Sequence, residues 1–327
     1  MLIVFIPLFT IPYVSRVLGA ENIGLFSYTY AVANYFVLFA NLGIKNYGSR
    51  TIAMVRNNKE ELNRNFSEIL SIHIIFSIIV IFVYLVLLFF FVEDNLVIFL
   101  IQSIYVFAAV FDINWFFFGI EKFKLTVGRN TLVKILSVFL VLVFVKTQTD
   151  LWIYALILAL SVFVGQSVVW FALKQYVSWR RPSWANMKQH IRPLFVLFLP
   201  ILALSLYKYM DKIMLGSISS NVQVGFYENA EKIINVPMSL IMAFGVVLMP
   251  RIANMVTSKD KGEVFKLIDM SMEAVMLLAI AISFGLAGIS FVLAPIFFGY
   301  EFEECGILIM GLAVTVPFMA FANVIRT

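Results

Sequence analysis

Residues 72–92 read IHIIFSIIVIFVYLVLLFFFV, an apolar run with no Asp, Glu, Lys or Arg. A helix with one side in water shows a polar face, and this stretch shows none. About 20 helical residues cross the roughly 30 Å hydrocarbon core of a bilayer. The run therefore reads as a transmembrane helix, which satisfies its own backbone polar groups where lipid offers no partner. The rest of the chain repeats the pattern. Of 327 residues, 62% are hydrophobic and 13% charged, against about 25% charged in soluble domains. The composition excludes a soluble protein and predicts an all-α, polytopic membrane protein.

Apolar runs between polar breaks predict ten helices, at 1–14, 24–44, 67–92, 95–119, 128–145, 151–173, 194–216, 225–249, 271–298 and 305–325. The loops alternate in charge. Loops 45–65, 121–130, 174–193 and 251–269 carry 17 Lys or Arg, whereas Arg16 and Lys146 are the two cations on the other side, beside acidic EDN at 93–95 and YEFEE at 300–304. Lysine and arginine concentrate in cytoplasmic loops. The basic set thus faces the cytoplasm, and Cys305 is expected to be reachable from outside. At 1.5 Å per residue the first span is about 21 Å long, short for a crossing. The chain also stops at Thr327 directly after an apolar helix, and both ends are expected to be clipped.

An internal repeat organises these helices. At a constant offset of 201 residues, Gly24, Arg50, Met54 and Val55 match Gly225, Arg251, Met255 and Val256. Upstream, VLG at 17–19 resembles MLG at 214–216. Six helices separate the two starting points, and an even number makes the copies parallel, related by an axis along the membrane normal. The expected organisation is an N-terminal lobe of six helices at 1–173, a basic cytoplasmic linker at 174–193, and a C-terminal lobe at 194–327 with four of an expected six. Pro7, Pro12, Pro200, Pro237, Pro250, Pro295 and Pro317 fall within or at the ends of spans. Such kinks suit two lobes that rock around a central cavity.

Charges inside the spans need partners or water, because each costs about 2.5–3.5 kcal/mol at a bilayer centre on insertion scales. Lys208, Asp211 and Lys212 are spaced to share one helical face, and Glu228, Glu231 and Lys232 repeat that spacing on the next span. The six side chains sum to zero charge. Two readings stand: a network that locks the helices together, or the wall of a polar cavity for a charged ligand or coupling ion. Asp112 and Asn114 fall on the inner side, with Asp112 expected to pair with Lys122 or Lys124. Arg50 and Arg251 read first as cytoplasmic anchors, and Arg16, at a helix end, is satisfied by snorkelling and lipid phosphates.

Other chemistries lack their residues. Cys305 is alone, so no intrachain disulfide framework exists, and His73 and His190 do not form a metal site. His73 sits near one end of a span and reads as a polar residue tolerated near the membrane surface. There is no GxxxxGK[ST] loop, no grouping of nucleophile, base and orienter, and no cleavable signal peptide. The net charge of +5 is scattered between spans, which fits membrane topology and not nucleic acid.

The stretches IPYVSRVLGAENIGLFSY, YGSRTIAMVRNNKEELNRNFSEIL, FDINWFFFGIEKFKLTVGRN, YKYMDKIMLGSISSNVQVGFYENAEKI and LMPRIAN resemble the Wzx-type polysaccharide flippases of the multidrug, oligosaccharidyl-lipid and polysaccharide exporter superfamily. The resemblance implies a two-lobed, multi-pass, non-enzymatic transporter of the bacterial cytoplasmic membrane. It would turn undecaprenyl-pyrophosphate-linked oligosaccharide repeat units to the outer leaflet for capsule, exopolysaccharide or O-antigen assembly. It implies no cofactor, coupling to a proton or sodium gradient, and membrane lipids, polysaccharide polymerase and glycosyltransferases as partners. On this view Lys208 and Lys212, with Arg16, attract the pyrophosphate, while Asp211, Glu228 and Glu231 tune the site or couple an ion. Related flippases of peptidoglycan precursors carry arginines well inside the first helix, and residues 1–15 here have none. A cation-coupled drug exporter of the same superfamily and a non-transporting scaffold of a polysaccharide synthesis complex are the competing expectations.

Overall fold

The computed structural model describes the backbone of residues 2–257 and 261–326, and the side chains of 9–206, 208–242 and 269–325. Every regular element among these residues is helical. The order is α1 (Leu2–Asn41), α2 (Ile44–Val55), α3 (Lys59–Phe91), α4 (Leu96–Val110), α5 (Asn114–Gly119), α6 (Phe123–Phe144), α7 (Leu151–Leu173), α8 (Trp184–Ile218), α9 (Asn221–Thr257), α10 (Lys261–Phe298), α11 (Cys305–Ala313) and α12 (Thr315–Arg326).

Among the described residues, eight stretches are long and apolar enough to cross a membrane. Two features account for the difference from ten. The spans expected at 1–14 and 24–44 are fused in α1, which breaks at Gly19 with φ 78° and ψ 171°. Only glycine adopts that conformation without strain, so the kink is written into the residue. The span expected at 225–249 lies in α9, where side chains from 243 onward lie outside the described residues.

Local chemistry sets the helix ends. Asn58 caps α3, its side-chain oxygen accepting the N–H groups of Glu60 and Glu61, and those two acids sit at the positive end of the helix dipole. Further along α3, Phe82 and Phe89 are largely exposed whereas Tyr84 and Leu88 are buried. Lipid, not water, explains an exposed surface built of such side chains. The α11–α12 break has a specific cause. Pro317 has no N–H to give the carbonyl of Ala313 four residues earlier, and the Ser283 hydroxyl on α10 donates to that carbonyl at 2.7 Å.

The chain forms two compact units, Leu25–Ser219 and Met1–Gly24 with Ser220–Thr327. The first is built on an aromatic core in which Phe66 stacks on Trp115 at 5.6 Å and meets Phe116 edge-on at 4.9 Å. The stretch after α7, residues 177–183, is stitched onto the start of α3. Ser178 donates its N–H to Asn63 Oδ1, Arg180 donates its N–H to Ser67 Oγ, both at 2.9 Å, and Arg180 Nη2 reaches Glu60 Oε1 at 3.1 Å. The expected linker therefore runs directly into α8, with no break between its second half and the span that follows. In the second unit, Ile234, Met238 and Ile241 of α9 pack with Val275 and Ala279 of α10 and Val316 and Ala320 of α12.

Candidate functional site

Lys208, Asp211 and Lys212 lie on continuous helix α8, so the three-and-four spacing does place them along one face. Lys208 is exposed, with Nζ 5.3 Å from the centroid of the Tyr209 ring, a distance at which ring and cation attract. Asp211 acts electrostatically on Tyr35, whose hydroxyl donates to the Ser205 carbonyl at 3.3 Å and whose ring packs 6.0 Å from Tyr209. This group belongs to the unit 25–219.

Arg16, Glu228, Glu231 and Lys232 belong to the other unit. Arg16 Nη2 donates to the Ile296 carbonyl at 2.5 Å. That carbonyl is in the last turn of α10, where orphaned acceptors and the negative dipole end favour a cation. Arg16 is therefore held by protein as well as by any lipid phosphate. Glu228 pairs with Lys232 at 3.1 Å, one turn apart and partly buried, and Glu231 is half-buried beside them. Between Glu228 and Arg16, Asn229 donates to the buried Ser15 hydroxyl at 2.9 Å, joining α9 to the first segment of α1.

The repeat-related glycines also meet here. A Cβ on Gly24 would lie 1.6 Å from the Asn221 carbonyl oxygen, and one on Gly225 2.1 Å from that of Ala20. The two backbones cross in direct contact, and any larger residue would drive them apart. Next to the crossing, Glu301 Oε1 accepts the Ala20 N–H at 2.9 Å. Cys305 is fully buried, its thiol donating to the Phe226 carbonyl at 3.2 Å. The expectation of a freely reachable thiol is therefore corrected, because α11 tucks the sulfur behind α9.

Inside the unit 25–219, a polar cluster surrounds the break between α4 and α5. Asp112 Oδ1 accepts the Asn114 backbone N–H at 3.0 Å and its Nδ2 at 2.7 Å. Asn114 also donates to Gln166 Oε1 at 2.9 Å and accepts from Arg129 Nη2 at 3.1 Å. The cation serving this group is thus Arg129, not Lys122 or Lys124. Arg129 lies where the expected loop 121–130 and span 128–145 overlap, and α6, which begins at Phe123, carries it to the Gly165 carbonyl at 2.7 Å. Trp170 Nε1 donates to the Phe111 carbonyl at 2.9 Å, satisfying backbone exposed by the break. His73 on α3 is fully buried among the helices, and neither of its ring nitrogens has a hydrogen-bond partner there.

A second buried cluster went unread in the sequence. Glu68 on α3 accepts from Asn186 Nδ2 at 3.1 Å and meets His190 Nε2 at 3.0 Å, while His190 Nδ1 meets the Tyr47 hydroxyl at 2.6 Å. Arg50 is exposed on α2. Arg251 lies in α9, but its side chain is outside the described residues. A cavity of about 350 Å³ at the start of α3 is lined by Arg56, Lys59, Lys122 and Tyr176, and includes none of the predicted site residues.

A bundle of apolar helices, eight of them long enough to cross a bilayer among the described residues, is a multi-pass membrane protein. Comparison with known proteins gives the family. The polysaccharide biosynthesis protein family matches residues 1–256, and the chain belongs to it. One relative, from Escherichia coli strain K12 and named "Putative O-antigen transporter", is 26% identical over 321 residues, covering 96% of this chain and 76% of its own. A relative of the same name from Shigella dysenteriae is 24% identical over 315 residues, covering 92% and 75%. No solved structure matches. The family agrees with the resemblance to Wzx-type flippases and makes the chain a transport protein of the bacterial inner membrane, not an enzyme.

Proposed function

We propose that the chain flips undecaprenyl-pyrophosphate-linked oligosaccharide units from the inner to the outer leaflet by alternating access between repeat lobes at 1–173 and 194–327. Carrying a sugar head group and pyrophosphate through hydrocarbon unaided would strip them of hydrogen bonds, which is prohibitive. A wet path lined by cations removes most of that cost. Lys208 and Lys212 of the unit 25–219 serve the pyrophosphate in this reading, and Asp211 on the same helix offsets part of their charge. The name of the two relatives supports polysaccharide transport.

The observation that carries alternating access is the crossing of Gly24 and Gly225. Residues related by the repeat meet backbone to backbone, on the side that the loop charges assign to the exterior. A contact made by equivalent residues of two copies, with no side chain between them, closes and opens as a unit. The test is export of labelled repeat units in a strain lacking its own flippase. The chain restores export, and Lys208→Ala and Asp211→Asn each reduce it several-fold at normal membrane abundance. Full export by both variants removes the phosphate path through α8. Restored drug resistance without restored polysaccharide would assign the chain to drug export instead.

A further inference from the structure

A cavity of about 360 Å³ in the unit 25–219 is lined by the C-terminal turns of α7 and by α3. On α7, Ser167, Trp170, Phe171 and Lys174 line it at the three-and-four spacing of a single helical stripe, and Phe66 and Leu70 line it one turn apart on α3. Trp179 adds a wall from the extended stretch after α7. The residues on either side of Trp179 are held to α3, because Asn63 accepts the Ser178 N–H and Ser67 that of Arg180. The cavity is thus framed by hydrogen bonds that need nothing inside it.

Its lining changes character along α7. The Ser167 hydroxyl donates to the Phe163 carbonyl and the Trp170 indole N–H to that of Phe111, both at 2.9 Å, so the donors of the interior are already spent. Lys174, the C-cap of α7, is exposed and has no ion-pair partner among the described residues. The loop charges put Lys174 at the cytoplasmic end, and from there α7 rises about 10 Å into the membrane to reach Ser167. The cavity therefore has a cationic mouth at headgroup depth and an apolar interior at acyl-chain depth. Phe171 is 80% exposed on a span with no charged side chain, a surface that lipid covers. Apolar pockets of this size with a few fixed polar groups are the usual form of a small-molecule site.

The chemistry narrows the occupant. A head group in transit needs polar partners along its whole path, and beyond Lys174 this cavity has no donor to spare. A zwitterionic lipid would bring its own cation beside the ammonium, whereas an anionic one leaves the ammonium and phosphate matched. We propose that the cavity is a fixed site for one anionic glycerophospholipid of the cytoplasmic leaflet, its phosphate on Lys174 and an acyl chain against Leu70, Trp170 and Phe171. The site does not rest on the flippase reading.

Photocrosslinking of the full chain tests it. Phe171 is replaced by p-benzoylphenylalanine, the protein is placed in nanodiscs of phosphatidylglycerol and phosphatidylethanolamine in equal amounts with identical chains, and the adducts are weighed by mass spectrometry. Leu132, 67% exposed on α6 and outside the cavity, is replaced in the same way as the control. Phosphatidylglycerol should exceed phosphatidylethanolamine at 171 by about fivefold, the factor one lysine contributes near an anionic surface, and should match it at 132. Lys174→Gln alters an exposed side chain and should remove that preference while crosslinking continues. Ser167→Phe, which fills the interior, should lower the yield of both adducts at 171. Equal capture of the two lipids at 171 would make Phe171 an ordinary contact of the lipid shell and overturn the proposal. A preference that survives Lys174→Gln, or a yield that Ser167→Phe leaves unchanged, would overturn it as well. Lipid-linked oligosaccharide added to the discs and captured at 171 in place of phosphatidylglycerol would assign the cavity to a transported lipid instead. If the chain flips nothing, the flippase reading fails while the ratio at 171 still decides the site.

Discussion

Two histidines lie buried in the same unit of this molecule, and they stand in opposite hydrogen-bonding situations. His190 is 2% exposed with both ring nitrogens engaged, one by the Tyr47 hydroxyl and one by Glu68, whose other oxygen takes Asn186. His73 is 0% exposed with neither nitrogen engaged. Removing an imidazole from water costs much the same in both places, but only around His190 is the loss offset by a closed network. The contrast separates two uses of a buried polar group. The Glu68 network ties α2, α3 and the start of α8 together, beside the extended segment already stitched to α3. Nothing in it is left over to bind a ligand. Around His73 no side chain offers either nitrogen a hydrogen bond, so its polar atoms add nothing to the packing of α3.

The harshest way to break the comparison is to take the carboxylate from the closed network. Glu68 is 1% exposed, and removing one partner of a buried, hydrogen-bonded pair typically costs about 3–5 kcal/mol. We expect Glu68→Ala to destabilise the protein by about that amount, lowering the thermal unfolding midpoint in detergent and the yield in membranes. A loss below about 1 kcal/mol would show that the network is not a structural tie and would dissolve the contrast with His73.

The fold was legible because lipid simplifies the code. Helices facing hydrocarbon need no polar face, so length and apolarity announce them, and the alternating loop charges orient them. The run at 72–92 is the C-terminal part of α3 as expected, ending at the C-cap Val92. What lay beyond a linear reading was each place where distant elements supply the partner. Glu68 and His190 are 122 residues apart, and nothing in the polar stretch around either pointed to the other. Arg129 counts with the cations of loop 121–130 although it lies at the edge of the span expected at 128–145, because α6 starts five residues earlier, at Phe123. At the candidate site, the spacing of Lys208, Asp211 and Lys212 was readable from helical periodicity alone, as was the pairing of Glu228 with Lys232. The Ile296 carbonyl that holds Arg16 was not, because a helix end 280 residues away is invisible until the chain is folded.

The smallest and sharpest test makes one chemical change at both histidines. Phenylalanine approximates the shape of an imidazole but has no polar atoms. At position 190 it leaves one buried Glu68 oxygen unpaired, while the half-buried Tyr47 hydroxyl keeps Thr51, and a buried group left unpaired costs about 1–3 kcal/mol. His190→Phe should therefore destabilise clearly, though less than Glu68→Ala, since Asn186 still serves the carboxylate. At position 73 the same change removes two orphaned nitrogens and adds apolar contact in a dry site. His73→Phe should shift stability by less than about 1 kcal/mol and can raise it, because replacing an unsatisfied polar group with an apolar one of similar shape is close to neutral or favourable. Unfolding of the two variants in parallel measures the difference. Equal destabilisation would mean that His73 holds a structural bond after all. A silent His73→Phe, set against a costly His190→Phe, means that the polar atoms of His73 are not there for stability.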